Sequence, residues 1–248
     1  MRTQLGFPRA WARPLNAALL IATTIVLTAS ISSASTIGST FQTGTDGWKL
    51  VAEYLNGTTQ LFDPNFVPLG GVQSGYLWTW DPLPASRTYW SAPDKFLGDQ
   101  SGLFGGNLVF HLMQTTLDKP LKTEAPEYAG PDVILEGGGI TIYAAIADPG
   151  TSWTAYSLAF ASGTWKKMGD NSVASDAEIQ QVLASLDKMW IKGEYSYRAG
   201  DPATNGGYPN GDAFALSLVH VPDPLTVSLL AFGGGCLLAR RSSRKAAV

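Results

Sequence analysis

Apolar and polar residues alternate with a period of two in several stretches of the chain. Leu108, Phe110 and Leu112 share one face of a segment whose other face carries Val109, His111 and Met113. Ile140, Ile142, Ala144 and Ile146 alternate with Thr141 and Tyr143, and Ile191, Gly193, Tyr195 and Tyr197 oppose Lys192, Glu194 and Ser196. Phe214, Leu216 and Leu218 form a last such run. This period predicts half-buried strands. Gly105-Gly106-Asn107, Gly137-Gly138-Gly139 and Asp148-Pro149-Gly150 separate the runs with turn chemistry. Short strands in this number predict an all-β, antiparallel β-sandwich or jelly roll. One segment departs from the period. Ser175-Asp176-Ala177-Glu178 has capping-box spacing, and Ile179, Val182, Leu183 and Leu186 follow it at helical spacing. It predicts one helix packed on the sandwich, closing one end.

Both ends of the chain break the alternation. Arg2, Arg9 and Arg13 precede an apolar stretch, Leu15 to Ala29, and a small-residue run, Ser30 to Ser35. This order predicts a secretory signal over residues 1–34, cut between Ala34 and Ser35, with an uncleaved anchor as the alternative. At the other end, Val221-Pro222-Asp223-Pro224 leads into an uncharged stretch, 225–239, closed by Arg240, Arg241, Arg244 and Lys245. Fifteen residues make a helix of roughly 22 Å, short against a hydrocarbon core of about 30 Å, so arginine snorkelling and local thinning are needed for it to span. Pro-acid-Pro, apolar stretch and terminal Arg cluster resemble the PEP-CTERM sorting signal, with Asp223 where that family usually has Glu. The resemblance implies an exported protein of a Gram-negative bacterium, handled by an exosortase and often tied to exopolysaccharide and biofilm. It implies a cell-surface or extracellular location, with transient anchoring in the inner membrane through residues 221–248.

Between these ends, residues 35–220 read as one domain, without a linker, a fixed-period repeat or a low-complexity block. The whole chain carries 17 Lys and Arg against 20 Asp and Glu, a net charge of −3. Setting aside the seven basic residues of the two ends and the single acid Asp223 leaves 10 basic and 19 acidic residues, a net charge of −9. An acidic domain with no basic run offers no electrostatic footprint for nucleic acid, and it suits neutral glycans or divalent cations. The single cysteine, Cys236, excludes an intramolecular disulfide.

Chemistry is sparse. The chain lacks nucleophile-elbow, P-loop, dinucleotide-binding and zincin motifs, and its two histidines, His111 and His220, have no partner at ligand spacing. No cofactor is expected, and no catalytic residue is assigned. Asp201, Asn205, Asn210 and Asp212 lie in a glycine-bearing loop and are hard oxygen donors of the kind Ca²⁺ takes, although an ordinary polar turn accounts for the same residues. Trp78 and Trp80 share a strand face, and Trp153 lies near a turn. Most aromatics of a sandwich fill its core; one or two exposed ones here would stack on sugar rings.

Tyr89-Trp90-Ser91-Ala92-Pro93-Asp94-Lys95-Phe96-Leu97-Gly98-Asp99 resembles the laminin B domain, also called laminin IV type A. So do Gly75-Tyr76 upstream, Gly105-Gly106-Asn107-Leu108, Asp132 to Gly137, Leu183-x-x-Leu186 and Ile191-Lys192-Gly193-Glu194-Tyr195, in that order. Lys192 stands where the family often has Arg, and Gly211-Asp212-Ala213-Phe214 departs from its usual last strand. The resemblance covers about Gly71 to Val219. It implies a galactose-binding-like β-sandwich of extracellular matrix and surface proteins, without catalysis. The expected work is adhesion or scaffolding, with extracellular polysaccharide or matrix and surface proteins as partners. A carbohydrate-binding module is the alternative, and a cryptic glycoside hydrolase a more distant one.

Overall fold

The computed structural model describes residues 37–80, 82–83, 86–116, 130–195 and 212–222. The signal with its Ala34–Ser35 junction lies outside the described residues. So do Asp223, Pro224, Arg240, Arg241 and the apolar stretch 225–239, and three of the four calcium candidates, Asp201, Asn205 and Asn210. Asp212 opens a strand. Among the described residues, no helix is long and apolar enough to cross a membrane.

In chain order the strands are β1 (Ile37–Ser39), β2 (Lys49–Tyr54), β3 (Thr59–Phe62), β4 (Asn65–Val67), β5 (Tyr76–Trp80), β6 (Ser86–Ser91) and β7 (Asn107–Thr116). They continue as β8 (Val133–Gly137), β9 (Ile140–Ala144), β10 (Thr154–Ala159) and β11 (Lys166–Lys167). The helix α1 (Asp176–Ala184) follows, then β12 (Leu186–Lys192) and β13 (Asp212–Val221). All pairings are antiparallel. One sheet has the order β10-β7-β13-β5-β4, with β1 also on β13; the other runs β11-β9-β8-β12-β6-β2-β3. We call them sheets A and B.

Alternation places one apolar set from each sheet in a shared core. Leu77, Leu108, Phe110, Leu112, Phe214 and Leu216 come from sheet A; Leu50, Trp90, Val133, Leu135, Ile142 and Ile191 come from sheet B. Trp90 and Phe214 meet edge to face across the gap, with ring centroids 5.5 Å apart. Gly193 fits beneath the same ring, since a Cβ there would stand 2.4 Å from Phe214. The sheets are also joined by a buried hydrogen bond. Gln114 Nε2 donates to the Gly193 carbonyl at 2.5 Å, so the polar side chain on an apolar face is satisfied.

The helix follows its sequence signature. Ser175 accepts from the Glu178 amide, and the Glu178 carboxylate accepts from the Ser175 amide at 2.8 Å, closing the capping box. Ile179, Val182 and Leu183 are fully buried, against β8, β9 and the short 3-10 turn Ser101–Leu103. Leu186, expected as the last residue of the helical stripe, instead starts β12 and enters the core from there. The expected strand from Ile191 also ends early, at Lys192, although Tyr195 remains buried; Tyr197 lies outside the described residues.

Strand β13 holds the main departure. Its register shifts between Ser217 and His220, and Leu218 has φ +44°. The extra residue reverses inside and outside. Phe214 and Leu216 face the core before the bulge, and Val219 and Val221 face it afterwards. Leu218 is therefore the bulge residue and not the next step of the predicted alternation. Val221, taken from sequence as the start of the terminal signal, is the last residue of this strand, 1% exposed and paired with Ile37.

Ile179→Ala is expected to cost about 2–5 kcal/mol, as for an unrelieved core cavity. Leu61→Ala, on the exposed edge strand β3, should stay within about 0.5 kcal/mol of the parent. Urea denaturation of the two variants checks the contrast.

Candidate functional site: an uncharged aromatic face on sheet A

The two outer faces differ in chemistry. Sheet B turns charge outward. Lys188 pairs with Glu136 at 2.5 Å and lies 4.6 Å from the Trp190 ring, and Arg87 reaches Glu53 at 3.6 Å. On sheet A, strand parity turns Tyr76, Trp78 and Trp80 of β5 outward, with Val109, His111 and Met113 of β7, Ala155 and Ser157 of β10, and Ala213, Ala215, Ser217 and His220 of β13. No Asp, Glu, Lys or Arg stands among them.

The register explains the shape of this face. Trp80 lies beside Ala213 and Trp78 beside Ala215, while Met113 flanks Ala215 from the other side. Small residues in the middle strand and large ones on both sides make an open depression of about 180 Å³. Tyr76, Trp78, Trp80 and Met113 wall it, and Ala213 and Ala215 floor it. Pockets that enclose small molecules run to about 300–1,000 Å³, so this is a shallow open depression and not an enclosing pocket. The indoles of Trp78 and Trp80 meet edge to face, 5.7 Å apart at 82°.

The loop between β4 and β5 folds back over the same face. The Val72 amide donates to Ser217 Oγ at 3.0 Å, and Ser217 Oγ donates to the Gly75 carbonyl at 3.1 Å. Trp153 pins the loop from the other side, its Nε1 donating to the Gly70 carbonyl at 3.0 Å. Its ring meets Tyr76 edge to face at 5.5 Å. The structure thus brings Trp78 and Trp80 together in the depression and places Trp153 next to it, through Tyr76. Leu69 on this loop is 75% exposed. Sequence reasoning missed Tyr76, Met113 and the two alanines as parts of the site. The signal was present, since Tyr76 shares the parity of Trp78 and Trp80, and Ala213 and Ala215 alternate with Phe214 and Leu216. Trp48, Trp90 and Trp165 are core residues, as most aromatics were expected to be.

A second polar cluster lies where β8 and β12 meet. Asp132, Lys192 and Glu194 are all buried. The Asp132 carboxylate accepts from the Ile146 amide at 2.7 Å. Burial pushes its carboxyl above the ordinary aspartate range, against the pull of that amide and of the Lys192 ammonium. Burial likewise raises the Tyr156 phenol to about 12. Tyr156 donates to the Ala147 carbonyl at 2.8 Å, so this group holds the loop before β10 in place. Among the described residues, no group of three or more His, Cys, Asp or Glu is arranged to hold a metal.

These features define a two-sheet antiparallel sandwich with one capping helix and an uncharged aromatic face. Residues 89–201 match the family model of Laminin B (Domain IV). Laminin subunit gamma-1 of Xenopus tropicalis is 28% identical over 168 residues, 66% of this chain, and the Homo sapiens protein of the same name is 27% identical over 172 residues, 67% of it. The basement membrane-specific heparan sulfate proteoglycan core protein of Mus musculus is 28% identical over 120 residues, 48% of this chain. The matched regions span 10%, 10% and 3% of those proteins. Among solved structures, the L4b domain of human laminin alpha-2 superposes with a TM-score of 0.54 at 16% identity, over 75% of this chain and 97% of that one. The domain thus has the fold of a laminin L4 domain, and family match and relatives together support a laminin B domain.

Asp132 provides a pH test. A proton binds the folded carboxyl more tightly than the unfolded one. Its contribution to stability is therefore full below about pH 4 and is lost as pH rises through the folded value. Asp132→Asn keeps an oxygen to accept from Ile146 and removes the charge. Relative to the parent, it should gain stability between pH 3 and pH 7, as read from urea midpoints at both pH values.

Proposed function

We propose that this is an exported surface or extracellular-matrix protein that works by adhesion or scaffolding in an exopolysaccharide or biofilm layer, using the outer face of sheet A as its contact surface. The carrying observation is the uncharged aromatic face on a domain whose sequence is otherwise strongly acidic. Large contiguous apolar surface on a soluble domain marks interaction sites. The similarity to laminins and to a basement-membrane proteoglycan supports an extracellular, adhesion-type domain. In this reading the signal is cut at Ala34–Ser35. An exosortase acts on the segment from Val221 to Arg241, and the anchor at 225–239 holds the chain at the inner membrane until then. No catalytic role is proposed, and the aromatic face presents no carboxylate pair of the kind glycoside hydrolysis uses.

A second reading, a carbohydrate-binding module, is favoured by the depression itself. A floor of two alanines beside Trp78, Trp80 and Met113 leaves room for a flat ring against the indoles, and its lack of charge suits a neutral sugar.

Both readings predict that Trp78→Ala weakens retention of the full chain on its cells' extracellular polysaccharide by about tenfold or more, the usual effect of truncating an aromatic anchor. Trp190→Ala, on the charged face of sheet B, should leave retention near the parent value. Retention should change little between 50 and 500 mM salt, because no ion pair carries it. Pull-down on the isolated polysaccharide measures both. Binding that survives Trp78→Ala, or that collapses with salt, would overturn the assignment of this face. A defined neutral oligosaccharide that competes for binding selects the carbohydrate-binding reading over general adhesion.

A further inference from the structure

The bulge in β13 does more than refill the core. Without it, strict alternation from Ser217 would point His220 inward. With it, His220 comes out on the face that already carries His111. The two residues sit on neighbouring strands, His111 opposite Ser217 and His220 opposite Val109. That is a diagonal relation on one sheet face, with Cα atoms about 7–8 Å apart. A Leu held at φ +44° is strained, and such strain persists where the surroundings impose it and is often found at functional sites.

The surroundings are bare of competing charge. Ala155 on β10 flanks His111, and Gly38 on β1 flanks His220, so small residues border the pair. In each ring Nδ1 is buried and without a hydrogen-bond partner. Burial holds both imidazoles below the ordinary histidine range, at His111 against the pull of a hydrogen bond to the Leu218 backbone, and the His111 ring adds to the lowering at His220. Burial thus favours the neutral imidazole, the form that ligates metals.

We propose that His111 and His220 form a two-imidazole site for a borderline transition-metal dication, Zn²⁺, Ni²⁺ or Cu²⁺, that ties β7 to β13 across the bulge, with water completing the coordination. Two neutral nitrogen donors and no carboxylate suit these ions and not Ca²⁺ or Mg²⁺, which take oxygen. Metal–nitrogen bonds of about 2.0–2.1 Å bring the two ligating nitrogens within about 3–4 Å of each other, a span that side-chain rotation closes from a diagonal pair. The site is separate from the aromatic depression and does not rest on the function proposed for it.

The test uses the full chain purified without a histidine tag. Thermal denaturation is followed with Zn²⁺, Ni²⁺ and Cu²⁺, and Cu²⁺-loaded protein is examined by electron paramagnetic resonance. At about a hundredfold excess over Kd the parent should gain roughly 5–10 °C in Tm with at least one of these ions and nothing with Ca²⁺. His111→Gln and His220→Gln should each lose the gain. The nitrogen hyperfine pattern should report two imidazoles in the parent and one in each variant, a count that decides the matter even if a variant starts from a lower Tm. No Tm gain with any of the three ions, an equal gain in either variant, or an unchanged nitrogen count would overturn the proposal.

Discussion

Side-chain alternation along β13 is the constraint on which the rest of the structure depends. This strand pairs with β1, β5 and β7, so its parity decides what lies inside sheet A and what lies outside. Its first half puts Phe214 and Leu216 into the core, where Phe214 meets Trp90 and covers Gly193. The same parity sends Ala213 out beside Trp80, and Ala215 out between Trp78 and Met113. A single slip of register would bury the alanines, expel the ring that joins the two sheets and close the depression. The bulge after Ser217 is such a slip, confined to one residue. It is tolerated there because Val219 and Val221 then resume filling the core beside β1.

The two sheets solve one packing problem and leave two unlike surfaces. Sheet B spends its outward positions on charge, as the ion pairs of Lys188 and Arg87 show. Sheet A keeps its outward positions uncharged, whether aromatic, aliphatic, small or imidazole. In a domain whose sequence is strongly acidic, an uncharged face lets a neutral polymer approach without desolvating a charge. It also lacks the ionic contacts that would favour polyanions or polycations. The loop over this face is held by the Ser217 hydroxyl and the Trp153 indole, so its backbone donors and acceptors are satisfied where it crosses the sheet.

Much of the architecture was legible in the residues. The capping box of Ser175 and Glu178, the buried face of β7 and the shared face of Trp78 and Trp80 all follow from local chemistry with short range. Leu186 was misplaced because it satisfies both the helical period and the first inward position of β12, and periodicity alone does not divide them. The bulge was illegible for a different reason. Leu218, Val219 and Val221 are all apolar, so the sequence there fits either parity, and the choice is made by β1 and β7 on either side. The calcium candidates illustrate a third case. A donor-rich loop names its atoms but not their convergence, and Asp201, Asn205 and Asn210 fall outside the described residues. The aromatic site was half visible. Its large residues stood out, but the floor of two alanines acquires meaning only from the cross-strand register.

The same register sets the direction in which the domain presents this face. Ile37 pairs with Val221, so the chain enters β1 and leaves β13 side by side at one end of sheet A. Trp80 pairs with Ala213, eight residues back along β13, or roughly 25 Å at about 3.3 Å per residue. A segment that tethers the chain beyond Pro222 would therefore hold the domain by the end where β1 and β13 meet. His111 and His220 would lie toward the tether and Trp78 and Trp80 toward the far end. The order of residues along one strand thus places the aromatic pair away from the end where β1 and β13 meet.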